Sequence, residues 1–109
     1  MPSADDFFAI DIRVGTVVAA EDFPEARRPA IRLEIDFGAA LGRRRSSAQI
    51  TDHYQPGDLV GRQVVAVVNI GTRRIAGFVS EMLVLGGMTP GGVVLLALDA
   101  TVENGTRVG

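Results

Sequence analysis

The sequence predicts an all-β domain with short helices, and three observations predict it. Segments of strand character recur at short intervals, separated by Gly, Pro and Asn-Gly turn signals. One of them, Ala30 to Phe37, alternates cleanly between apolar and polar residues, the mark of a half-buried strand. Finally, a single brief helical turn after the third strand is the only strong interruption of the β pattern. At 109 residues the chain holds one domain, residues 1–109.

Taken in order, Ser3-Ala4-Asp5-Asp6 before Phe7 and Phe8 reads as a short capped helix within residues 1–9. Ser3 is the cap and Asp6 lies near the positive helix end. Arg13 to Ala20 is a strand rich in β-branched residues. Phe23 to Pro29 is a loop framed by two prolines. In the strand Ala30 to Phe37, Ile31, Leu33, Ile35 and Phe37 face a core while Arg32, Glu34 and Asp36 face water. Arg43 to Ile50 is a third, mostly polar strand. Thr51 to Tyr54 reads as one helical turn stopped by Pro56-Gly57. Gln63 to Ile70 and Val93 to Leu98 are continuous apolar runs, with a mixed strand, Phe78 to Leu85, between them. A continuous run implies burial on both faces. In so small a domain the second face is covered by a helix, by barrel closure or by another subunit, which hints at dimerisation. The competing reading is an ordinary barrel core with scattered surface valines. Asn104-Gly105 signals a hairpin turn in a C-terminal extension, residues 99–109. This order of elements is that of a five-stranded Greek-key barrel of the OB type with a short N-terminal helix.

Composition narrows the function. Cysteine is absent, so disulfides and thiolate metal sites are excluded, and one histidine is too few for a structural zinc site. No metal or cofactor is expected. The N-terminus lacks the basic and apolar regions of a secretory signal, and no apolar run approaches the ~20 residues of a membrane span. A cytoplasmic protein without membrane insertion is expected.

Lysine is also absent, and arginine supplies all 11 basic charges at a net charge of −2. The charge is unevenly spread. Residues 1–26 carry six acids against Arg13, a net −5, and residues 43–74 carry six arginines against Asp52 and Asp58, a net +4. A bias against lysine explains why these residues are arginine, but not why they cluster at 43–45 and 73–74. Arginine suits a phosphate-rich partner because its planar fork gives one phosphate two hydrogen bonds. A solvated basic face is the ordinary alternative. Strand phase puts Arg43, Arg45, Ser47 and Gln49 on one face and Arg44, Ser46, Ala48 and Ile50 on the other. The first face would offer arginine to phosphates and Ser and Gln to base edges. Arg73 and Arg74 fall in a loop between Gly71 and Gly77. Asn69 and Ser80 either face a ligand or satisfy each other or the loop backbone.

No catalytic constellation emerges, so an enzyme is not expected. His53 beside Asp52 reads as a capping or packing residue, and Ser46-Ser47 lacks a nucleophile-elbow context. Gly86-Gly87 and Gly91-Gly92 flank a turn without the lysine of a phosphate loop.

The succession FPEARRPAIRLEIDFG, SSAQIT, VVAVVN, RRIAGFVSEMLVLGG and VENGTRVG closely resembles the CsaA family of export-related chaperones. That family lies within the wider tRNA-binding-domain family, whose domain is also appended to some methionyl- and phenylalanyl-tRNA synthetases. The resemblance runs from about Phe7 to Gly109. It implies an OB-fold homodimer that binds tRNA without catalysis and, for CsaA members, also binds unfolded or exported preproteins. It implies an RNA groove at Ser47, Gln49, Asn69, Arg74, Ser80 and Met82, with Ala26 and Arg27 in the loop between the first two strands. Arg43, Arg45 and Arg73 would add phosphate attraction at the groove edge. The chain departs from the family in two places. The loop after Asn69 lacks the family's proline, and Arg43-Arg44-Arg45 is more basic than the usual single cation before SSAQ. A dimerising accessory subunit of a translation complex, without a chaperone role, is the alternative function.

Overall fold

The computed structural model describes residues 1–109. Its elements in chain order are α1 (Ala4–Phe8), β1 (Ile12–Asp22), β2 (Ile31–Asp36), β3 (Arg43–Ala48), α2 (Pro56–Leu59), β4 (Gln63–Val67), β5 (Arg73–Ile75), β6 (Phe78–Ser80), β7 (Leu83–Val84), β8 (Gly86–Thr89) and β9 (Gly92–Leu95). The main sheet runs β3-β2-β1-β4-β7, and its paired neighbours are antiparallel. It curls until the segment entering β7 meets β3: Glu81 N donates to Arg45 O at 2.8 Å, and Ser46 Oγ donates to Met82 O at 3.1 Å. These bonds nearly close a five-stranded barrel, as expected for the OB type.

β1 is the hub because its 11 residues serve two neighbours. Its first half pairs with β4 and its second half with β2, with a bulge between Val17 and Ala19 that lets the strand change direction. Gly15 sits where no side chain fits, since a Cβ would come within 2.6 Å of Ile35 and 2.7 Å of Phe37. The barrel interior holds Val17, Ile31, Leu33, Ile35, Phe37, Val64, Ala66 and Val68, all buried, and Leu59 of α2 joins them. The alternation of β2 is borne out in its burial pattern. The Ser3/Asp6 cap is present as a reciprocal capping box.

Four local expectations are corrected. The helix after β3 begins at Pro56, where the expected turn was to stop. Proline suits a first helical turn because the missing N–H would have had no partner there. Arg73 and Arg74 lie in a strand, because Ile75 and Phe78 pair across a two-residue turn. Phe78 to Leu85 is broken at Glu81-Met82, the residues that seal the barrel against β3. The turn at Asn104-Gly105 is present, but its outgoing arm bonds to β1, not back to Val102. Gly105 N donates to Val14 O at 2.8 Å, Val14 N to Thr106 O at 2.9 Å, and Val108 N to Ile12 O at 2.8 Å.

That tail explains one of the two apolar runs. Val65 and Val67, with Ile12 and Val14, form a second buried cluster covered by Leu85, Val102 and Val108. The outer face of β4 is thus covered by the chain's own C-terminal segment, a solution outside the expected three. Gln63 fastens that segment at both ends of its amide, donating to Val102 O at 2.7 Å and accepting from Val102 N at 3.1 Å. The run at 93–98 is different. Val93 and Leu95 pack on the core, whereas Val94, Leu96 and Leu98 are exposed, so burial on both faces does not hold there.

Candidate nucleic-acid interface

β3 carries the polar face and divides as its phase requires. Ser46, Ala48 and Ile50 are buried, Ser47 is half-buried, and Arg43, Arg45 and Gln49 are exposed. The buried hydroxyl of Ser46 donates to Met82 O, so the core carries no unpaired polar group there. The three consecutive arginines have three different surroundings. Arg43 Nη1 meets Glu34 Oε2 at 3.4 Å, an exposed pair. Arg44 crosses to β4 and donates to Val68 O at 2.9 Å. The side chain of Arg45 has no ionic or hydrogen-bonded partner, and its guanidinium rests 4.7 Å from the centroid of the Phe78 ring.

Beside β3 stands the β5–β6 hairpin. Its two turn residues, Ala76 and Gly77, both have positive φ, 46° and 83°, which matches the twist of a tight hairpin. The hairpin holds Arg73 and Arg74 exposed, and Arg73 pairs across it with Ser80. Ser80 Oγ accepts from Ser47 N at 3.1 Å and so joins the hairpin to β3. A small cavity of about 150 Å³ opens at this junction, lined by Ser47, Arg73, Ser80, Met82, Ile70 and Leu83.

Four expected residues, Ser47, Arg73, Ser80 and Met82, therefore converge. Met82 is nevertheless 4% exposed and packs in the barrel core. Asn69 and Ser80 do not bond each other; Ser80 is buried and, besides accepting from Ser47 N, donates to Ser46 Oγ at 3.4 Å. Asn69 Oδ1 accepts from Asp11 N and Nδ2 donates to Ala9 O, both at 2.8 Å, which pins the segment after α1. Gln49 is exposed beyond the end of β3, outside that cavity. Arg74 is exposed on the hairpin, and Arg27 lies in the β1–β2 loop beside Thr51.

Sequence reasoning missed Phe78, Arg32 and Phe23. Phe23 and Phe78 meet edge to face at 5.4 Å, and the Arg32 guanidinium lies 5.0 Å from the first ring and 6.0 Å from the second. This stack draws the β1–β2 loop against the hairpin, beside the β2–β3 face on which OB folds hold their ligands. Its one legible signal was Arg32 on the wet face of β2. Arg27, Arg28, Arg45, Arg73 and Arg74, on the loop, strand and hairpin so joined, have no ionic or hydrogen-bonded side-chain partner. Unpaired guanidiniums on neighbouring elements can bind phosphates without first breaking internal ion pairs. No three His, Asp or Glu side chains converge as a metal-holding group, and no helix is long and apolar enough to cross a membrane.

The family described as "Putative tRNA binding domain" matches residues 12–107. The chain belongs to that family. Among solved structures it is similar to the chaperone CsaA from Bacillus anthracis, with 56% identity and a TM-score of 0.94 over 100% of this chain and 99% of that one. It is also similar to the CsaA chaperone protein from Picrophilus torridus, with 45% identity, a TM-score of 0.95 and full coverage of both chains. The methionine–tRNA ligase of Thermotoga maritima is 34% identical over 95% of this chain, which spans only 16% of that enzyme. Membership in the CsaA group, and the OB-type barrel that goes with it, are as the sequence resemblance implied.

Proposed function

We propose that this chain is a non-catalytic, homodimeric tRNA-binding protein of the cytoplasm that also acts as an export-related chaperone for unfolded preproteins. The observation that carries the RNA reading is the set of unpartnered arginines at one end of the barrel, Arg27, Arg45, Arg73 and Arg74, beside Ser47 and Ser80. Phosphates are drawn by the arginines, and Ser47 and Gln49 face the strand between them. Family membership and the names of the similar chaperones support the same reading. Titration with tRNA across salt tests it: log affinity should fall linearly with log salt, by a slope of roughly 0.7–0.9 per phosphate contacted. Absence of any salt-sensitive complex at micromolar tRNA would rule it out.

The dimer is supported by apolar surface on and after the β8–β9 hairpin. Met88, Val94, Leu96 and Leu98 are 90%, 45%, 47% and 40% exposed, and a second copy would cover them. The wild type should sediment at twice 11.5 kDa and Leu96→Asp at the monomer mass, with the barrel still folded. A wild type that sediments only as a monomer removes the dimer. The chaperone role predicts suppressed aggregation of a denatured client, and competition by tRNA would place both ligands on one surface.

The methionine–tRNA ligase likeness favours a second reading, a dimerising tRNA-binding accessory subunit of a translation complex. Retention of a synthetase in a pull-down, with no effect on client aggregation, would select it.

A further inference from the structure

The outer face of β1, β2 and β3 carries a cavity of about 270 Å³ that none of the expected site residues except Arg45 touches. It is lined by Glu21, Arg32, Glu34, Arg45 and Phe78 among others. Strand register builds it: Glu21 lies opposite Arg32, and Glu34 lies opposite Arg45, so these four side chains share the outward face. Phe78 reaches over from the β5–β6 hairpin and forms the wall.

Three features point to a ligand. Arg32 Nε is buried and has no hydrogen-bond partner, although its Nη2 meets Glu21 Oε1 at 3.0 Å. Nε is closed off from the cavity, but Nη1 is neither bonded nor buried, so it is the guanidinium donor left for an acceptor. Arg45 is held on the Phe78 ring with no anion to neutralise it. Finally, Glu21 and Glu34 each have one carboxylate oxygen outside the bonds they make to Arg32 and Arg43. The cavity thus combines an aromatic wall, an unused cationic donor, carboxylate acceptors and a free guanidinium at its rim.

We propose that this cavity seats one unstacked nucleotide of the bound RNA, and that it prefers guanine. The base takes the Phe78 face that Arg45 covers in the free protein, as single-stranded bases lie on aromatic platforms, and Arg45 swings aside. Arg32 donates to the acceptor edge, where guanine alone presents adjacent O6 and N7. The carboxylates accept from the adjoining Watson–Crick edge, where guanine presents N1–H and N2–H. Arg45 takes the adjoining phosphate. Adenine and uracil lack one or both paired edges. This subsite rests on the RNA-binding reading above and deepens it.

The test uses the full chain and three single-stranded pentaribonucleotides, UUGUU, UUAUU and UUUUU, with tRNA titrated in parallel across salt. Wild type should bind UUGUU about tenfold tighter than UUUUU. Phe78→Leu should bring the three pentamers to parity and weaken tRNA about tenfold while leaving the tRNA salt slope unchanged, because stacking and not a phosphate contact is lost. Arg32→Lys, which keeps the charge but loses Nη1 and the planar fork, should also abolish the preference, and it guards against a Phe78 variant that loosens the hairpin. Equal pentamer affinities in a wild type that binds tRNA would overturn the subsite and leave the RNA reading intact. Failure to bind tRNA or any pentamer would overturn both. Loss of client-peptide binding in Phe78→Leu, with RNA binding unchanged, would overturn it in favour of a peptide pocket.

Discussion

The two arginine clusters look alike in sequence and differ in structure. Arg73 and Arg74 stand together on a two-strand hairpin, exposed, with no acid or carbonyl engaging either guanidinium. In the triplet 43–45, one arginine is paired with Glu34, one is tied to Val68 O and one is poised on Phe78. A run of three like charges is thus three different devices, because alternate strand residues point to opposite sides and β2 places Glu34 within reach of one of them. Local density of charge is a poor guide to what charge is free to do. The number of partners already held is a better one.

That difference orders the effects of removing each group. The largest loss of RNA affinity is expected for Arg73→Ala/Arg74→Ala. Two unpartnered phosphate donors disappear, so tRNA affinity should fall tenfold or more, and the salt slope should shrink by roughly 1.5. An unchanged slope would show that the hairpin does not meet phosphate and would collapse the contrast between the clusters.

Arg44→Ala should do the reverse. It removes a part-buried, charge-assisted bond and leaves Val68 O without that donor, at a cost of about 1–2 kcal/mol. Thermal unfolding should move down by several degrees, with the tRNA salt slope unchanged. A variant as stable as wild type but weak in RNA binding would place Arg44 with the ligand-facing arginines.

Much of this architecture was legible in the sequence, and most of the illegible parts share a cause. The β2 alternation, the β3 phase and the Ser3/Asp6 cap are local patterns, set by residues two or three apart, and each appears as expected. Two misses were local, the helix opening at Pro56 and the tight Ile75–Phe78 hairpin, and the others depended on partners far along the chain. Residues 64–68 and 93–98 are both unbroken apolar runs, yet Val102 and Val108 cover the outer side of the first, and Val94 and Leu96 of the second stay exposed. No window around either run contains that information. The site follows the same rule. Ser47, Arg73 and Ser80 meet at one cavity, but Asn69 is occupied by Ala9 and Asp11, some 60 residues away. Met82 faces the core because Arg45 and Ser46 of β3 bond the backbone of the break at Glu81-Met82. Phe78 and Arg32 escaped notice because their stack joins β2 and the β5–β6 hairpin to the β1–β2 loop through Phe23, a tertiary contact with no local periodicity.

The smallest effect belongs to Arg43→Ala, and it is the sharpest probe of the contrast. Arg43 is the most conspicuous member of the triplet, 62% exposed in its side chain, yet its charge is already offset by Glu34. Exposed pairs of this kind contribute about 0–1 kcal/mol, so stability should be unchanged within about 0.5 kcal/mol. RNA affinity should fall less than for Arg45→Ala, because a phosphate contacting Arg43 must displace a carboxylate, whereas Arg45 offers all its donors at once. Glu34→Gln provides the complementary measurement. Freed from its acid, Arg43 should bind phosphate as a further unpartnered arginine beside Arg27, Arg28, Arg45, Arg73 and Arg74, and the salt slope of tRNA binding should steepen by somewhat under one unit. If Arg43→Ala instead costs as much affinity as the Arg73/Arg74 pair, the Glu34 contact is broken on binding and partner count does not decide which arginines act.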